Sequence, residues 1–234
     1  MTILLDKFGF QLRLKDRASA GNILGEALRN ITKNERERRE NIMTLGIPRG
    51  GVIVGNMVAK KLSSEFDIII PRKLRAPHTE EVAIGAVMED GYFYLNREIV
   101  RELSISQDYI EKEKSIQINE IKRRTAIYRN RTDTIATRIR HKNSIVLVDD
   151  GVATGATAIV TARWIKTINP NCLIIAVPIA PKDSINLLRK EANHIEVITS
   201  PSSSNFKSVG QYYRDFKPVT DEQVINIMIP SKEM

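Results

Sequence analysis

Two adjacent acidic residues begin the segment with the clearest chemical potential. Asp149 and Asp150 directly follow the apolar run 144–148, and a loop of glycine, threonine and other small residues, 151–157, separates them from a helical pattern. A run that is apolar on both faces predicts a buried strand. Because open α/β sheets bind ligands at the carboxyl ends of their strands, we predict a ligand site at this strand-to-helix connection.

The small-residue loop is typical of a phosphate cradle. Its backbone N–H groups, the hydroxyls of Thr154 and Thr157, and the N-terminus of the following helix all offer donors to an anion. The two carboxylates offer only acceptors, so they suit hydroxyl donors or a hard cation such as Mg²⁺. A 5-phosphoribosyl group, which carries a phosphate and a diol, would satisfy both halves. The alternative is a polar turn in which Asp and Thr side chains only cap the helix.

The elements that position this loop alternate along most of the chain. Short β-branched runs predict strands, and amphipathic stretches between them predict helices. The predicted strands are 42–48, 66–70, 144–148, 172–177 and 195–199, and the predicted helices are 52–62, 156–168 and 184–192. This pattern predicts an α/β fold with a parallel sheet of about five strands and helices on both faces.

One long charged stretch, 97–131, interrupts the alternation and predicts a helical insertion. Residues 101–142 carry 11 Lys and Arg against 6 Asp and Glu, which is +5 of the net charge of +8. We expect Ile110, Ile118, Ile121 and Tyr128 to share a buried face, with Lys122, Arg123 and Arg124 near solvent. The stretch is either a solvated helix packed on the domain or a mobile basic arm over an anionic site or a partner.

Composition excludes several classes of protein. The chain has 234 residues, 42% of them hydrophobic, which is enough for a substantial core and predicts a single domain over 1–234. One cysteine and three scattered histidines provide no zinc motif, and the P-loop and dinucleotide fingerprints are absent. No apolar run has the length of a membrane span, so we expect a cytoplasmic protein with no membrane partner.

The segment IVLVDDGVATGAT resembles the phosphoribosyl-pyrophosphate motif of type I phosphoribosyltransferases. The resemblance implies that Asp149 and Asp150 hold the ribose hydroxyls and contact Mg²⁺ indirectly, through water or those hydroxyls. It implies that the following loop binds the donor, with 153–157 on its 5′-phosphate. The loop residues concerned are Gly151, Val152, Ala153, Thr154, Gly155, Ala156 and Thr157.

Two further segments resemble the same family in chain order. Arg49, Gly50 and Gly51 follow the first strand, where the family has a pyrophosphate loop, often with a cis peptide that would match Arg49–Gly50. Glycine lets the backbone approach an anion closely. Arg72 and Lys73 follow the second strand and resemble an Arg-Lys pair that contacts pyrophosphate, which gives them a catalytic role. The family's lid would lie at about 74–81 and contain His78, which could equally be an exposed loop residue.

Over its whole length the chain resembles a bacterial and archaeal group of predicted phosphoribosyltransferases. The acceptor substrate of that group is not established. The shared segments include the PRGG loop, VAIGAVMEDG and FKSVGQYYRDFKPVTDEQV. The resemblance implies Mg²⁺-dependent transfer from phosphoribosyl pyrophosphate to a nitrogenous base, release of pyrophosphate, and a homodimer. The alternative is a regulator on the same fold that senses phosphoribosyl pyrophosphate or a nucleotide and binds nucleic acid.

The acceptor stays open at this stage. Hypoxanthine-guanine enzymes carry an acidic residue at the position of Ala153, where it can exchange a proton with the purine. This chain therefore lacks the general base of those enzymes. A small hood over the acceptor would come from 8–14 and 206–216. Four aromatic residues of the second segment either stack on a base or seal a core or dimer interface: Phe206, Tyr212, Tyr213 and Phe216. Trp164, on the helix after the phosphate loop, is predicted to lie in the core.

Overall fold

The computed structural model describes residues 13–32, 41–77, 79–129 and 134–229, and its centre is a parallel five-stranded sheet. The strands have the order β2-β1-β6-β7-β8. They are β1 (Ile42–Gly46), β2 (Glu65–Ile68), β6 (Ser144–Val148), β7 (Cys172–Ile179) and β8 (His194–Thr199). The predicted α/β class and strand number are confirmed, although β2 ends two residues before the predicted boundary.

Helices cover both faces of this sheet. The helices of the described residues are α1 (Arg17–Thr32), α2 (Gly50–Leu62), α3 (Arg97–Glu102), α4 (Gln107–Tyr128), α5 (Ile135–Arg140), α6 (Ala156–Ile168), α7 (Lys182–Leu188) and α8 (Asp221–Met228). In β6, Ile145 and Leu147 join the cluster that contains α6, whereas Val146 and Val148 join the cluster that contains α1 and α2. Both faces of β6 are therefore buried, which explains why its sequence is apolar throughout.

A second, antiparallel sheet lies beside the first. It consists of β3 (Arg72–Ala76), β4 (Thr79–Val87) and β5 (Phe93–Leu95). The predicted lid at 74–81 is therefore not a loop, since most of it belongs to the β3–β4 hairpin. Leu74, Ala76 and Ile84 are buried in a third cluster, and this burial favours strand over loop. His78 lies outside the described residues.

The predicted helical insertion consists of two helices, α3 and α4. Asn96 and Ser106 accept backbone N–H bonds as the N-caps of α3 and α4. Ile110, Ile121 and Tyr128 are buried as predicted, and Ile118 packs against them. The helix α4 therefore packs on its own chain. Among the described residues, no helix is both long enough and apolar enough to cross a membrane.

Candidate active site

The loops after β1 and β6 meet at one end of the central sheet, where they enclose a cavity of about 420 Å³. These strands are neighbours in the sheet, so their carboxyl ends bring the two loops together. Most of the predicted site residues line the cavity: Arg49, Gly50, Arg72, Lys73, Asp149, Asp150, Gly151, Val152, Ala153, Thr154, Gly155 and Thr157. Gly51 and Ala156 stand behind this lining, and Arg75 joins it although the sequence did not single it out.

Two adjacent carboxyl groups are buried at the cavity, and this burial disfavours their charged form. Burial raises the pKa of Asp149 well above its usual range, and the neighbouring charge of Asp150 raises it further, against the opposing effect of Lys73. Burial also raises the pKa of Asp150. Asp149 Oδ1 accepts the backbone N–H of Asp150 at 2.8 Å. Such a pair, made of oxygen acceptors only, fits a Mg²⁺ ion or sugar hydroxyls as its partner.

Arg17 is another residue of the site that the sequence did not indicate. Its Nε donates to Asp150 Oδ2 at 2.7 Å, and its Nη1 donates to the Lys217 carbonyl at 2.9 Å. The guanidinium also lies 3.8 Å from the ring centroid of Phe216. Arg17 is only 9% exposed and holds Asp150 from behind the cavity. No local pattern could have revealed this contact, because the two residues are 133 positions apart.

The glycines of the loop 48–51 are also required by contacts within the protein. A Cβ on Gly50 would lie 1.8 Å from Asp150 Oδ2, and a Cβ on Gly51 would lie 2.8 Å from the Asp149 Cα. These positions require glycine because the first loop packs directly on the acidic residues of the second. The cis peptide bond joins Pro48 to Arg49, so the predicted position at Arg49–Gly50 was wrong by one bond.

The loop before α6 combines a left-handed glycine with the N-terminus of a long helix. Gly155 has φ +86°, a left-handed conformation, and it is the N-cap of the 13-residue helix α6. The N–H of Val152 already donates to the Ile179 carbonyl at 2.8 Å. Val152 therefore contributes a wall of the cavity, and the backbone donors available to a phosphate come from later in the loop.

Four cationic side chains among the described residues also line the cavity. Arg72, Lys73 and Arg75 come from β3, and Arg49 comes from the loop after β1. Arg49 Nη1 lies 3.3 Å from Asp221 Oδ1, an atom that also accepts the hydroxyl of Tyr128 at 2.5 Å. Burial, with the nearby charge of Arg124, lowers the pKa of Arg72. This arrangement suits an anion with more than one negative charge.

The four aromatic residues at 206–216 pack on one another. Phe206 stacks on Tyr212 with centroids 6.0 Å apart, and Tyr213 stacks on Phe216 at 4.8 Å. None of the four lines the cavity, and all belong to the cluster around α1 and α2. The Tyr213 hydroxyl donates to the Asp150 carbonyl at 2.7 Å, so this segment supports the acidic loop. These contacts favour the interpretation in which the aromatic residues seal a core over the one in which they stack on a base. Of the other predicted hood segment, 8–14, residues 8–12 lie outside the described residues.

Two other predictions from the sequence have clear outcomes. Trp164 is buried, and its Nε1 donates to Asp90 Oδ2 at 2.7 Å, which confirms a core position. Lys122 and Arg123 are exposed as predicted. The prediction for Arg124 was wrong, since its side chain is only 15% exposed and donates to Glu120 on the next turn.

Comparison with known proteins gives consistent results over nearly the whole chain. The model of the phosphoribosyl transferase domain matches residues 14–217. Rv0571c of Mycobacterium tuberculosis H37Rv, named provisionally as a phosphoribosyl transferase, is 33% identical over 210 residues, or 90% of this chain. MT0597 of strain CDC 1551 matches equally well. The chain spans 45% of the length of either relative.

A solved structure with high coverage is TT1426 from Thermus thermophilus. It is 35% identical, the match covers 93% of this chain and 98% of that one, and the TM-score is 0.71. The domain match contains the cavity loops, the paired acids and β3. The chain belongs to the phosphoribosyl transferase domain family.

Proposed function

We propose that the chain transfers a 5-phosphoribosyl group from phosphoribosyl pyrophosphate to a nitrogenous base and releases pyrophosphate, with Mg²⁺ as cofactor. The observation that carries the proposal is a single cavity lined by Asp149 and Asp150, by the glycine-containing loop that follows them, and by the cations of β3. Phosphoribosyl pyrophosphate carries the three groups that these residues suit, namely a phosphate, a diol and a diphosphate.

Donor binding divides between the two loops. The 5′-phosphate would bind the backbone of 153–157 and the hydroxyls of Thr154 and Thr157. The ribose hydroxyls would donate to Asp149 and Asp150, whose crowded charge makes them strong acceptors. With both ends held, the reacting carbon is fixed while a nucleophile approaches it.

Departure of pyrophosphate needs stabilisation of growing negative charge. Arg72, Lys73 and the loop of Arg49 would supply it, together with Arg75. A Mg²⁺ ion bound there would neutralise part of the diphosphate charge, and Asp149 and Asp150 would hold it through water or ribose hydroxyls. In the transition state the ribosyl carbon becomes cation-like, so the carboxylates of the cavity would add electrostatic support.

Residue 153 is alanine rather than an acidic residue, so a group other than residue 153 accepts the proton that the nitrogenous base loses.

We further propose a cytoplasmic homodimer in which 1–234 form one domain and 97–131 are an insertion. Sedimentation velocity measures the dimer: a mass of one chain at all concentrations would contradict it.

The experiment that tests the function measures pyrophosphate release from phosphoribosyl pyrophosphate and Mg²⁺ across a panel of purines, pyrimidines and other aromatic bases. We expect release with at least one base and only slow release with water as the acceptor. Tight donor binding without turnover of any base would contradict the enzyme and favour a sensor.

The alternative, a regulator that binds nucleic acid, needs a free basic surface. On α4 the basic residues are partly paired within the helix. Glu120 accepts from both Arg123 and Arg124, which lowers its pKa to about 2, and Lys114 pairs with Glu111. This pairing weakens the attraction to phosphates, so the transferase has the stronger support.

A further inference from the structure

Three polar side chains form a line on the buried side of α4. Tyr109, Glu113 and Gln117 lie four residues apart, so they share one face of the helix. Glu113 is 8% exposed and Gln117 is 5% exposed, although the same helix buries Ile110, Ile121 and Tyr128 in an apolar cluster. Burial of polar groups costs stability unless partners satisfy them, so their presence calls for a specific reason.

The partners of this line belong to β3. The Tyr109 hydroxyl donates to the Arg75 carbonyl at 3.1 Å, and the Arg75 N–H donates to Glu113 Oε1 at 3.1 Å. Gln117 Nε2 donates to the same Glu113 oxygen at 3.0 Å, and Gln117 Oε1 accepts from Arg72 Nε at 2.9 Å. The helix thus contacts the backbone of one cavity residue and the side chain of another.

The group that contacts the guanidinium of Arg72 is neutral. A carboxylate in that place would pair with the guanidinium and cancel much of its charge. The carboxylate of Glu113 is instead separated from Arg72 by the amide of Gln117. Among the described residues, no hydrogen bond engages the terminal Nη atoms of Arg72, so the two-pronged end of the fork is available to an anion.

We infer that Gln117 and Glu113 are positioning residues, which fix Arg72 and β3 for the diphosphate while leaving the guanidinium charge uncancelled. The inference rests on the proposed function, since it assigns a diphosphate to this side of the cavity. The inference gives the charged insertion a supporting role, in which its residues hold β3 in place and do not themselves touch the substrate.

The experiment uses Gln117→Glu, which changes the charge with almost no change in shape. Asn119→Asp is the matched control, because it makes the same amide-to-acid change on the exposed side of α4. Binding of pyrophosphate with Mg²⁺ is measured by calorimetry at two salt concentrations. We expect Gln117→Glu to weaken binding about tenfold and to reduce its salt dependence, because one cation of the site is neutralised. The control should stay within about twofold of wild type.

A double-mutant cycle with Arg72→Gln shows whether the effect passes through Arg72. We expect the Gln117→Glu change to have little further effect in the Arg72→Gln background. Unchanged pyrophosphate affinity in a folded Gln117→Glu protein would overturn the inference, as would an equal loss in the control. If Gln117→Glu fails to fold, Gln117→Met keeps the length, removes both hydrogen bonds and should also weaken binding.

Wild-type behaviour separates the two proposals. Pyrophosphate and donor binding without turnover of any base contradicts the proposed function alone, and the variants still decide the inference. Absence of pyrophosphate binding to the wild-type protein contradicts both. A variant series in which the melting midpoint changes but affinity does not would assign α4 a purely structural role and overturn the inference.

Discussion

The negative charges of Asp149 and Asp150 are only partly balanced by neighbouring cationic side chains. Asp150 has Arg17 as its ion-pair partner at 2.7 Å, whereas the charge of Asp149 is opposed by the more distant Lys73. A ligand that donates hydroxyls or brings a cation therefore gains more from Asp149 than it would from a carboxylate in water. Pre-formed strain of this kind is typical of functional sites.

Replacement of both acids tests their assignment to the ribose. In Asp149→Asn with Asp150→Asn, each lost charge-assisted hydrogen bond should cost about 1.5–3 kcal/mol of donor affinity. The amides keep the shape, but Asp150→Asn leaves the buried guanidinium of Arg17 without its ion-pair partner, so unfolding free energy should also fall. Calorimetry with phosphoribosyl pyrophosphate measures the loss, and circular dichroism checks the fold. Unchanged affinity in the folded double variant means that the ribose binds elsewhere.

Arg17 should matter to donor binding although it lies behind the cavity. In Arg17→Lys the charge remains, but one ammonium cannot reproduce the bond to Asp150, the bond to the Lys217 carbonyl and the stacking on Phe216 together. We expect donor affinity to fall about tenfold, since Asp150 loses its fixed orientation. Arg29→Lys, at the exposed end of α1, is the control. Equal affinities of the two variants would refute the role of Arg17.

Residues of the site were predictable where their signal is local. Asp149, Asp150 and the following loop stand in one continuous segment, so their types and order indicated the chemistry. Arg17, Arg75 and Gln117 act through partners from distant segments, and their own neighbours in sequence are ordinary helix or strand residues. Their role depends on packing, which a single sequence does not display.

At the scale of elements, the junction between β6 and α6 rests on one left-handed glycine. A Cβ on Gly155 would meet nothing closer than Ile159 Cδ1 at 3.5 Å, so space is available and the backbone conformation carries the constraint. A side chain at this position is therefore strained by the backbone conformation rather than by contact with neighbouring protein atoms.

Gly91 offers a matched control for this junction. It has φ +88° with open space around it, and it lies in the turn before β5, away from the cavity. Gly155→Ala and Gly91→Ala should each lose about 1–2 kcal/mol of unfolding free energy from left-handed strain. Only Gly155→Ala should weaken binding of ribose 5-phosphate, because it distorts the cradle. Full ligand affinity in Gly155→Ala would contradict the cradle.

The central sheet was predictable as a set of elements, and the smaller sheet was not. The strands β1, β6 and β7 are buried almost throughout and are largely apolar runs, and they alternate along the chain with helical patterns. In β3 only alternate residues are apolar, and the segment RKLRA looks like a charged loop. Its strand conformation comes from pairing with β4 and burial of Leu74, both of which are tertiary effects.

At the scale of the molecule, one buried carboxylate joins the insertion to the central sheet. Asp67 of β2 is 1% exposed and accepts from Arg129, which follows α4, and from Arg138 of α5. Arg129 contacts it through two nitrogens, both at 3.1 Å. An ion-pair network of this depth fixes how distant segments meet, because unpaired alternatives leave charge in the interior.

Asp67→Asn should therefore destabilise the whole fold. Loss of the shared carboxylate leaves the charges of two arginines poorly compensated, and we expect a loss of about 3–5 kcal/mol in unfolding free energy. Urea denaturation measures the change. Asp215→Asn removes an exposed pair with Lys217 and should change stability by less than about 1 kcal/mol. A loss as small in Asp67→Asn would show that the network contributes little.

The direct packing of Gly50 and Gly51 on Asp149 and Asp150 has a consequence for the order of folding. The two loops are about a hundred residues apart in sequence, and they meet only when β1 has paired with β6. Closing so long a stretch of chain is slow, because its entropy is lost before the contacts that repay it have formed. A nascent chain that ends before β6 lacks the second loop and therefore has not formed the cavity. During refolding, recovery of donor binding should follow the slowest structural phase, and the donor should slow unfolding more than it speeds folding.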